Sequence, residues 1–194
     1  MNIGILALQG DVEAHADTLA RLGVTPRFVR RAEALETVAA LVIPGGESTT
    51  MSRLIERQDL LAPLQAFAAE RPVFGTCAGL VLMARDPGDP RVTSLGLLDI
   101  EVSRNAYGRQ IHSFTTTLEG RATGPVKAVF IRAPRIEAVG PEVEVLLTHA
   151  GHPVLVAQGP HLGCAFHPEL NTDPRLHAWW LKRAGLLDPR ESAA

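Results

Sequence analysis

Gly75-Thr76-Cys77-Ala78-Gly79 lies between the apolar run Pro72-Val73-Phe74 and a second apolar stretch over 78–84. A short buried strand therefore hands over to a helix across a turn built from glycine, alanine and a single cysteine. That composition suits a nucleophile elbow, in which a sharp turn forces its central residue into strained backbone angles and flanking glycines let neighbouring segments come close. Cys77 would then sit at a helix N-terminus, whose partial positive charge favours thiolate over thiol. Gly-x-Cys-x-Gly is a short pattern, however, and a buried structural cysteine beside a glycine turn accounts for it almost as well.

Outward from that turn, short apolar runs alternate with helical periodicity, as a parallel sheet with crossover helices requires. Strands are expected over 3–7, 27–29 and 41–43, upstream of the run at 72–74. Asp11 is placed to cap a helix carrying Val12, His15, Leu19 and Leu22 on one face, and Gly23 supplies its stop. Leu35 and Val38 mark a second helix, and a third starts near Ser48, read as its cap. A fourth bears Leu60, Leu61, Leu64 and Phe67, with Pro63 in its first turn. Beyond Asp86-Pro87-Gly88-Asp89-Pro90, strand-like runs over 99–102, 113–118, 127–131, 143–148, 153–158 and 163–166 read as an antiparallel extension of the same sheet. A last helix over 174–183 carries Leu176, Trp179, Trp180 and Leu181, the tryptophans as packing. The expectation is an α/β fold with residues 1–188 as a single domain and 189–194 as a loose tail.

Composition removes several function classes. Lys and Arg total 19 against 21 Asp and Glu, a net charge of -2 without blocks of like charge, so a basic footprint for nucleic acid is missing. Cys77 and Cys164 are the only cysteines, which is neither a disulfide framework nor a paired zinc motif, and a reducing, cytoplasmic setting is expected. The first apolar run has no basic residues ahead of it, so it reads as a strand and not a signal peptide. No apolar stretch approaches the ~20 residues that cross a bilayer, so no membrane is expected as a partner. Phosphate-binding glycine loops are absent, and no cofactor or metal is expected. His149 and His152 have tempting spacing but read as a polar turn. Cys164 reads as core, and His15, His112, His161 and His177 as surface or structural histidines.

Two further segments turn the cysteine into chemistry. In His167-Pro168-Glu169 an extended backbone puts residues i and i+2 on one side, and Pro168 biases His167 toward that geometry. Glu169 can then bind one imidazole nitrogen while the other takes a proton from a thiol, the nucleophile, base and orienter logic of a triad. Pro44-Gly45-Gly46-Glu47-Ser48 offers unencumbered backbone N–H groups for a developing oxyanion, with Gly46 and Ala78 as the candidate donors.

Taken in order, Pro-Gly-Gly-Glu-Ser, Gly-Thr-Cys-Ala-Gly and Phe-His-Pro-Glu resemble a class I (triad) glutamine amidotransferase. More narrowly, the chain resembles the glutaminase subunits of pyridoxal 5'-phosphate synthase, through Leu8-Gln9-Gly10-Asp11-Val12, Arg104-Asn105-Ala106-Tyr107-Gly108-Arg109-Gln110 and Phe130-Ile131-Arg132-Ala133-Pro134. The resemblance implies a three-layer, flavodoxin-like fold with a mixed central sheet. It makes Cys77 the nucleophile, His167 the general base and acid, and Glu169 the orienter. It assigns glutamine contacts to Gly46, Glu47, Ser48, Arg104, Ile131 and Arg132, and arginine suits an α-carboxylate because its fork matches one. It also implies hydrolysis of L-glutamine to L-glutamate and ammonia, with ammonia passed to a separate synthase subunit in a hetero-oligomer, since 194 residues filled by a glutaminase leave no room for a sugar-phosphate site. Alternatives are a glutaminase serving another synthase, such as that of histidine biosynthesis, a silent docking subunit, or a cysteine hydrolase of a related elbow-bearing family.

Overall fold

The computed structural model describes residues 1–104 and 113–188. Its first half runs β1 (Asn2–Leu6), α1 (Val12–Arg21), β2 (Thr25–Val29), β3 (Leu41–Ile43), α2 (Ser48–Arg57), α3 (Leu61–Glu70), β4 (Val73–Thr76) and α4 (Ala78–Met83). The second half is strand-rich: β5 (Ala84–Asp86), β6 (Leu98–Ser103), β7 (Phe114–Gly120), β8 (Gly124–Phe130), β9 (Arg135–Val139), β10 (Glu144–His149), β11 (His152–Gln158) and β12 (His161–Cys164), followed by α5 (Arg175–Arg183).

Seven strands form the central sheet in the order β10-β11-β12-β4-β3-β1-β2. From β2 to β12 all neighbours are parallel, and β11 and β10 add antiparallel strands at one edge, so the sheet is mixed. Burial on both faces explains why β3 and β4 consist wholly of buried residues, a continuous apolar run and not an alternating one. The step from β1 to β2 and the step from β3 to β4 run in opposite directions. Right-handed crossovers therefore place α1 on one face and α2 and α3 on the other, giving three layers. α5 joins the α1 layer, where its buried Trp180 packs on Phe74 with ring centroids 5.4 Å apart. The chain order reverses between β1 and β3, and in sheets of this kind ligands bind at the carboxyl ends of the strands beside such a reversal.

Several expectations need correction. The segment around Leu35 and Val38 is a 3₁₀ turn over Ala32–Thr37 instead of an α-helix. Only Leu35 within it is buried, and the Thr37 hydroxyl competes for the Ala34 carbonyl, so too little apolar surface is available to hold an α-helical face. Only β10, β11 and β12 of the anticipated extension reach the central sheet, and β12 is parallel to β4 and ends at Cys164. β6 pairs with β5 and β9 in a three-stranded sheet, and β7 and β8 form a separate hairpin. Their burial explains it: β6 alternates buried and accessible positions and β7 buries only Leu118, patterns of a sheet wetted on one face that would waste a doubly covered position. β5 and β9 carry no sequence signal noticed above. Asp11 does occupy the N-terminal cap position of α1 but makes no side-chain capping bond, and α2 is capped by Glu47, not Ser48, with the carboxylate accepting from the Thr49 and Thr50 N–H groups. Residues 189–194, expected as a tail, lie outside the described residues, as does His112.

Gly79 shows how tightly the β4–α4 turn is set against β3. A Cβ there would stand 2.0 Å from the Ile43 carbonyl oxygen, a backbone atom that cannot swing away. Gly→Ala in a helix ordinarily stabilises by ~1 kcal/mol. Gly79→Ala is expected to do the reverse, lowering stability by ~1–3 kcal/mol through overpacking, and chemical denaturation measures the sign.

Candidate active site

Cys77 sits at φ 49° and ψ -103°, a conformation few side-chain-bearing residues tolerate. Its N–H donates to the Cys164 carbonyl at 2.8 Å, and Val81 N–H donates back to the Cys77 carbonyl at 3.3 Å. The turn is thus pinned to β12 on one side and to its own short helix on the other. α4 has only six residues, so the helix dipole expected at Cys77 is a short one.

The parallel register between β4 and β12 pairs Thr76 with Cys164, so both chains leave the same edge of the sheet, one into Cys77 and the other into Ala165-Phe166-His167. His167 N–H is fastened to the Val129 carbonyl of β8 at 2.8 Å. Its Nδ1 lies 2.7 Å from Glu169 Oε1 and 3.4 Å from Asp11 Oδ2, and both His167 and Glu169 are buried. The anticipated i, i+2 pairing is therefore present, although Pro168–Leu170 closes into a 3₁₀ turn and is not extended. Gly45 packs beneath the ring: a Cβ there would meet His167 Cε1 at 2.3 Å.

The electrostatics divide the site into charged and neutral groups. Burial works against the His167 imidazolium, but hydrogen bonds with Cys77 and Glu169 and their negative charge outweigh it and raise His167 to about 10. Burial pushes the Glu169 carboxyl up, opposed by the hydrogen bond and charge of His167. Burial likewise drives the Cys164 thiol well above its ordinary value. Cys77 Sγ lies 3.8 Å from the Ile131 carbonyl oxygen.

A cleft of about 420 Å³ opens over Cys77, lined among others by Gly46, Glu47, Ser48, Ala78, Arg104 and Arg132. Of the residues singled out from sequence, these six and Cys77 line one space, and the Ile131 carbonyl lies against the Cys77 sulfur. Glu47 is more occupied than anticipated. Burial alone would raise its carboxyl, but hydrogen bonds from the Thr49 and Thr50 hydroxyls and N–H groups hold it at about 2, and Arg104 Nη2 lies 3.0 Å away. Arg104 also pairs with Asp89, so its guanidinium is fixed between two carboxylates with one edge on the cleft. Gln9, missed as a lining residue, orders the loop after β3 by accepting from Glu47 N–H at 2.8 Å. The block Asn105-Ala106-Tyr107-Gly108-Arg109-Gln110 lies outside the described residues.

His149 and His152 flank a two-residue hairpin turn in which Ala150 and Gly151 both have positive φ, and His149 packs on the rings of Phe114 and Phe130. Among the described residues, Asp11, His167 and Glu169 have ligand-type atoms within 4.8 Å of one another, but His167 Nδ1 is committed to Glu169. The trio is thus an oriented imidazole beside a second carboxylate. Thiol, imidazole and carboxylate beside an open cleft can together carry out attack on a carbonyl with proton transfer.

A family model for the SNO glutamine amidotransferase family matches residues 5–185. The chain belongs to that family. It is 56% identical over 180 residues to the pyridoxal 5'-phosphate synthase subunit PdxT of Frankia casuarinae, covering 90% of each chain. It is 48% identical over 185 residues to the protein of the same name from Thermotoga maritima, covering 94% of this chain and 98% of the other. A crystal structure described as a glutamine amidotransferase superposes with a TM-score of 0.90 at 44% identity, over 94% of this chain and 98% of that one. The family is one of glutamine amidotransferases, and the mixed α/β fold expected from the resemblance is the one observed.

His15 and His177, read from the sequence as surface or structural histidines, are structural and not surface residues, and the signal for it was a histidine on the apolar face of α1. Both are fully buried, with His15 Nδ1 2.9 Å from His177 Nε2. Burial, reinforced by the charges of His177 and His167, holds His15 well below 6.5, and burial holds His177 at about 3. Below pH 6.5 the unfolded chain binds protons at these residues and the folded chain does not. Their contribution to stability is complete above 6.5 and is lost as pH falls toward 3, with a slope of at most ~1.4 kcal/mol per pH unit for each proton. Equilibrium denaturation between pH 7 and 4 is expected to show this slope and His177→Gln to flatten it; an unchanged slope contradicts the assignment.

Proposed function

We propose that the chain hydrolyses L-glutamine to L-glutamate and ammonia through a γ-glutamyl thioester on Cys77, and passes the ammonia to a partner synthase subunit that makes pyridoxal 5'-phosphate. One observation carries the reading: Cys77, on its strained turn, shares a cleft with Arg104 beside a His167 already bound to Glu169. The names of relatives about half identical to it supply the pathway.

In this reading Arg104 and the loop Gly46-Glu47-Ser48, with Ile131 and Arg132, hold the amino-acid end of glutamine. The carboxamide lies over Cys77. With the thiol proton held on His167, whose neighbours favour its imidazolium, sulfur bonds to the carboxamide carbon and the oxygen gains the negative charge between the N–H groups of Gly46 and Ala78. The intermediate collapses as His167 returns the proton to nitrogen and the carbon–nitrogen bond breaks, releasing ammonia. Water, deprotonated by His167, attacks the thioester, and the thiolate leaves with that proton. Glu169 holds the ring and stabilises its imidazolium throughout. Residues 1–188 act as one glutaminase domain in the cytoplasm, where two free thiols persist reduced.

The Gly45–Gly46 peptide offers a route by which a partner could switch activity, because glycine leaves it free to turn. Its carbonyl accepts from Asp11 N–H at 3.3 Å, which directs the Gly46 N–H the opposite way. Docking near Gln9 and Gly10 would turn this peptide and complete the oxyanion site, and one missing donor costs ~10²- to 10³-fold in turnover. Ammonia release measured on the purified chain, with and without the synthase and with ribose and triose phosphates omitted, is expected to rise on that scale. Full activity of the chain alone refutes the gate but leaves the triad standing.

Cys77→Ala is expected to abolish hydrolysis in the complex. Near neutral pH, iodoacetamide is expected to label Cys77 in the cleft and spare the buried Cys164. Retained hydrolysis by Cys77→Ala removes the thioester mechanism.

A further inference from the structure

The two oxygens of Glu169 have unequal surroundings. Oε1 is bound by His167 Nδ1, whereas Oε2 is fully buried and, among the described residues, has no hydrogen-bond partner of ordinary length. His15 Nε2 stands 3.5 Å from it and 3.2 Å from the hydroxyl of Thr76, the residue that precedes Cys77. Behind His15 lies His177 Nε2, and His177 Nδ1 has no hydrogen-bond partner among the described residues.

Two proton arrangements are open to this neutral pair. If His15 carries its proton on Nδ1, it donates to His177, and His177 is left with an orphaned Nδ1–H. In addition, the His15 Nε2 lone pair faces the lone pairs of Glu169 Oε2. If His177 donates from Nε2 to His15 Nδ1, the proton on His15 moves to Nε2 and points at Thr76 and Glu169. Only a bare acceptor on His177 Nδ1 is then unsatisfied, and orphaned acceptors are tolerated better than orphaned donors. The second arrangement also turns an N–H donor toward the buried carboxylate oxygen, and an unpartnered charged oxygen is expensive to bury.

We propose that His15, held in its Nε2–H tautomer by His177, is a positioning residue that keeps Glu169 ionised and aimed at His167. It touches neither substrate nor sulfur. It acts because burial alone pushes the Glu169 carboxyl toward the neutral form, which cannot stabilise an imidazolium, and a neutral N–H donor opposes that without adding a competing charge. The inference rests on the glutaminase reading above.

Among the described residues, the titratable groups around Glu169 are His167 on its own turn, with Cys77 beyond it, Asp11 and His15 from the α1 end, Cys164 of β12 and, behind His15, His177 of α5. β8 adds only the exposed Lys127. The test compares His15→Gln with His15→Asn in the complex with the synthase. Glutamine places its amide nitrogen near the position of Nε2, within reach of Glu169, whereas asparagine, one carbon shorter, reaches only the Nδ1 position. The two share polarity, so a purely structural role affects them alike.

At matched melting temperature, His15→Asn is expected to lower kcat about 10- to 100-fold with KM for glutamine nearly unchanged. It is also expected to move the acid limb of the kcat/KM profile to higher pH, because Glu169 protonates more readily. His15→Gln is expected to restore both. Equal losses in the two variants, or no loss in either, overturn the positioning role. If the wild-type complex releases no ammonia, or Cys77→Ala matches it, the glutaminase reading fails first and the inference with it, an outcome recognised before either His15 variant is compared.

Discussion

Cys77 keeps a backbone conformation that costs on the order of 1–3 kcal/mol in isolation, and the rest of the site depends on what holds it there. The hydrogen bond from its N–H to the Cys164 carbonyl ties the strained residue to β12, and that strand can reach it only because β12 runs parallel to β4 in a register that sets Thr76 beside Cys164. Close packing does the remainder, since Gly79 rests against the backbone of β3. The same parallel pairing delivers His167 to the cysteine. Strain at one residue and proximity of the second are therefore two results of a single strand register.

Around this centre the protein spends polar groups unevenly. Toward the cleft, Glu47 is saturated by the first turn of α2 and Arg104 bridges it to Asp89, so the charged wall is set by contacts within the chain before anything enters. Toward the interior, Glu169, His15 and His177 form a buried file in which histidines stay neutral and a carboxylate depends on them. A wet wall of paired ions suits recognition of a zwitterionic small molecule. A dry file of hydrogen-bonded groups suits keeping one imidazole in one orientation, because low dielectric strengthens each link and makes an unpaired one costly.

The three-stranded sheet and the hairpin of β7 and β8 lie outside the main sheet but are not ornamental. β8 anchors His167 through Val129, and the segment from β8 to β9 carries Ile131 and Arg132 to the cleft. Arg132 there has φ 46°, a second side-chain-bearing residue held in the left-handed region beside Cys77. Strained residues gathered on two facing segments mark where tight local fit took precedence over backbone comfort.

By itself the sequence determined the features that arise within a few residues of one another. Continuous apolar runs specify doubly buried strands, small residues on either side of Cys77 permit a sharp turn, and His-Pro-Glu pairs an imidazole with a carboxylate two positions on. Each depends on local sterics or periodicity, so each is legible without knowing what lies opposite. The tertiary structure alone decided the sheet to which each later strand belongs, Glu47 as the cap of α2, the two carboxylates that hold Arg104, and the meeting of His15 with His177 from 162 residues away. Those outcomes depend on long-range pairing and on which buried polar atom finds a partner, and nothing in a histidine's immediate neighbours encodes the atom it will face across the core.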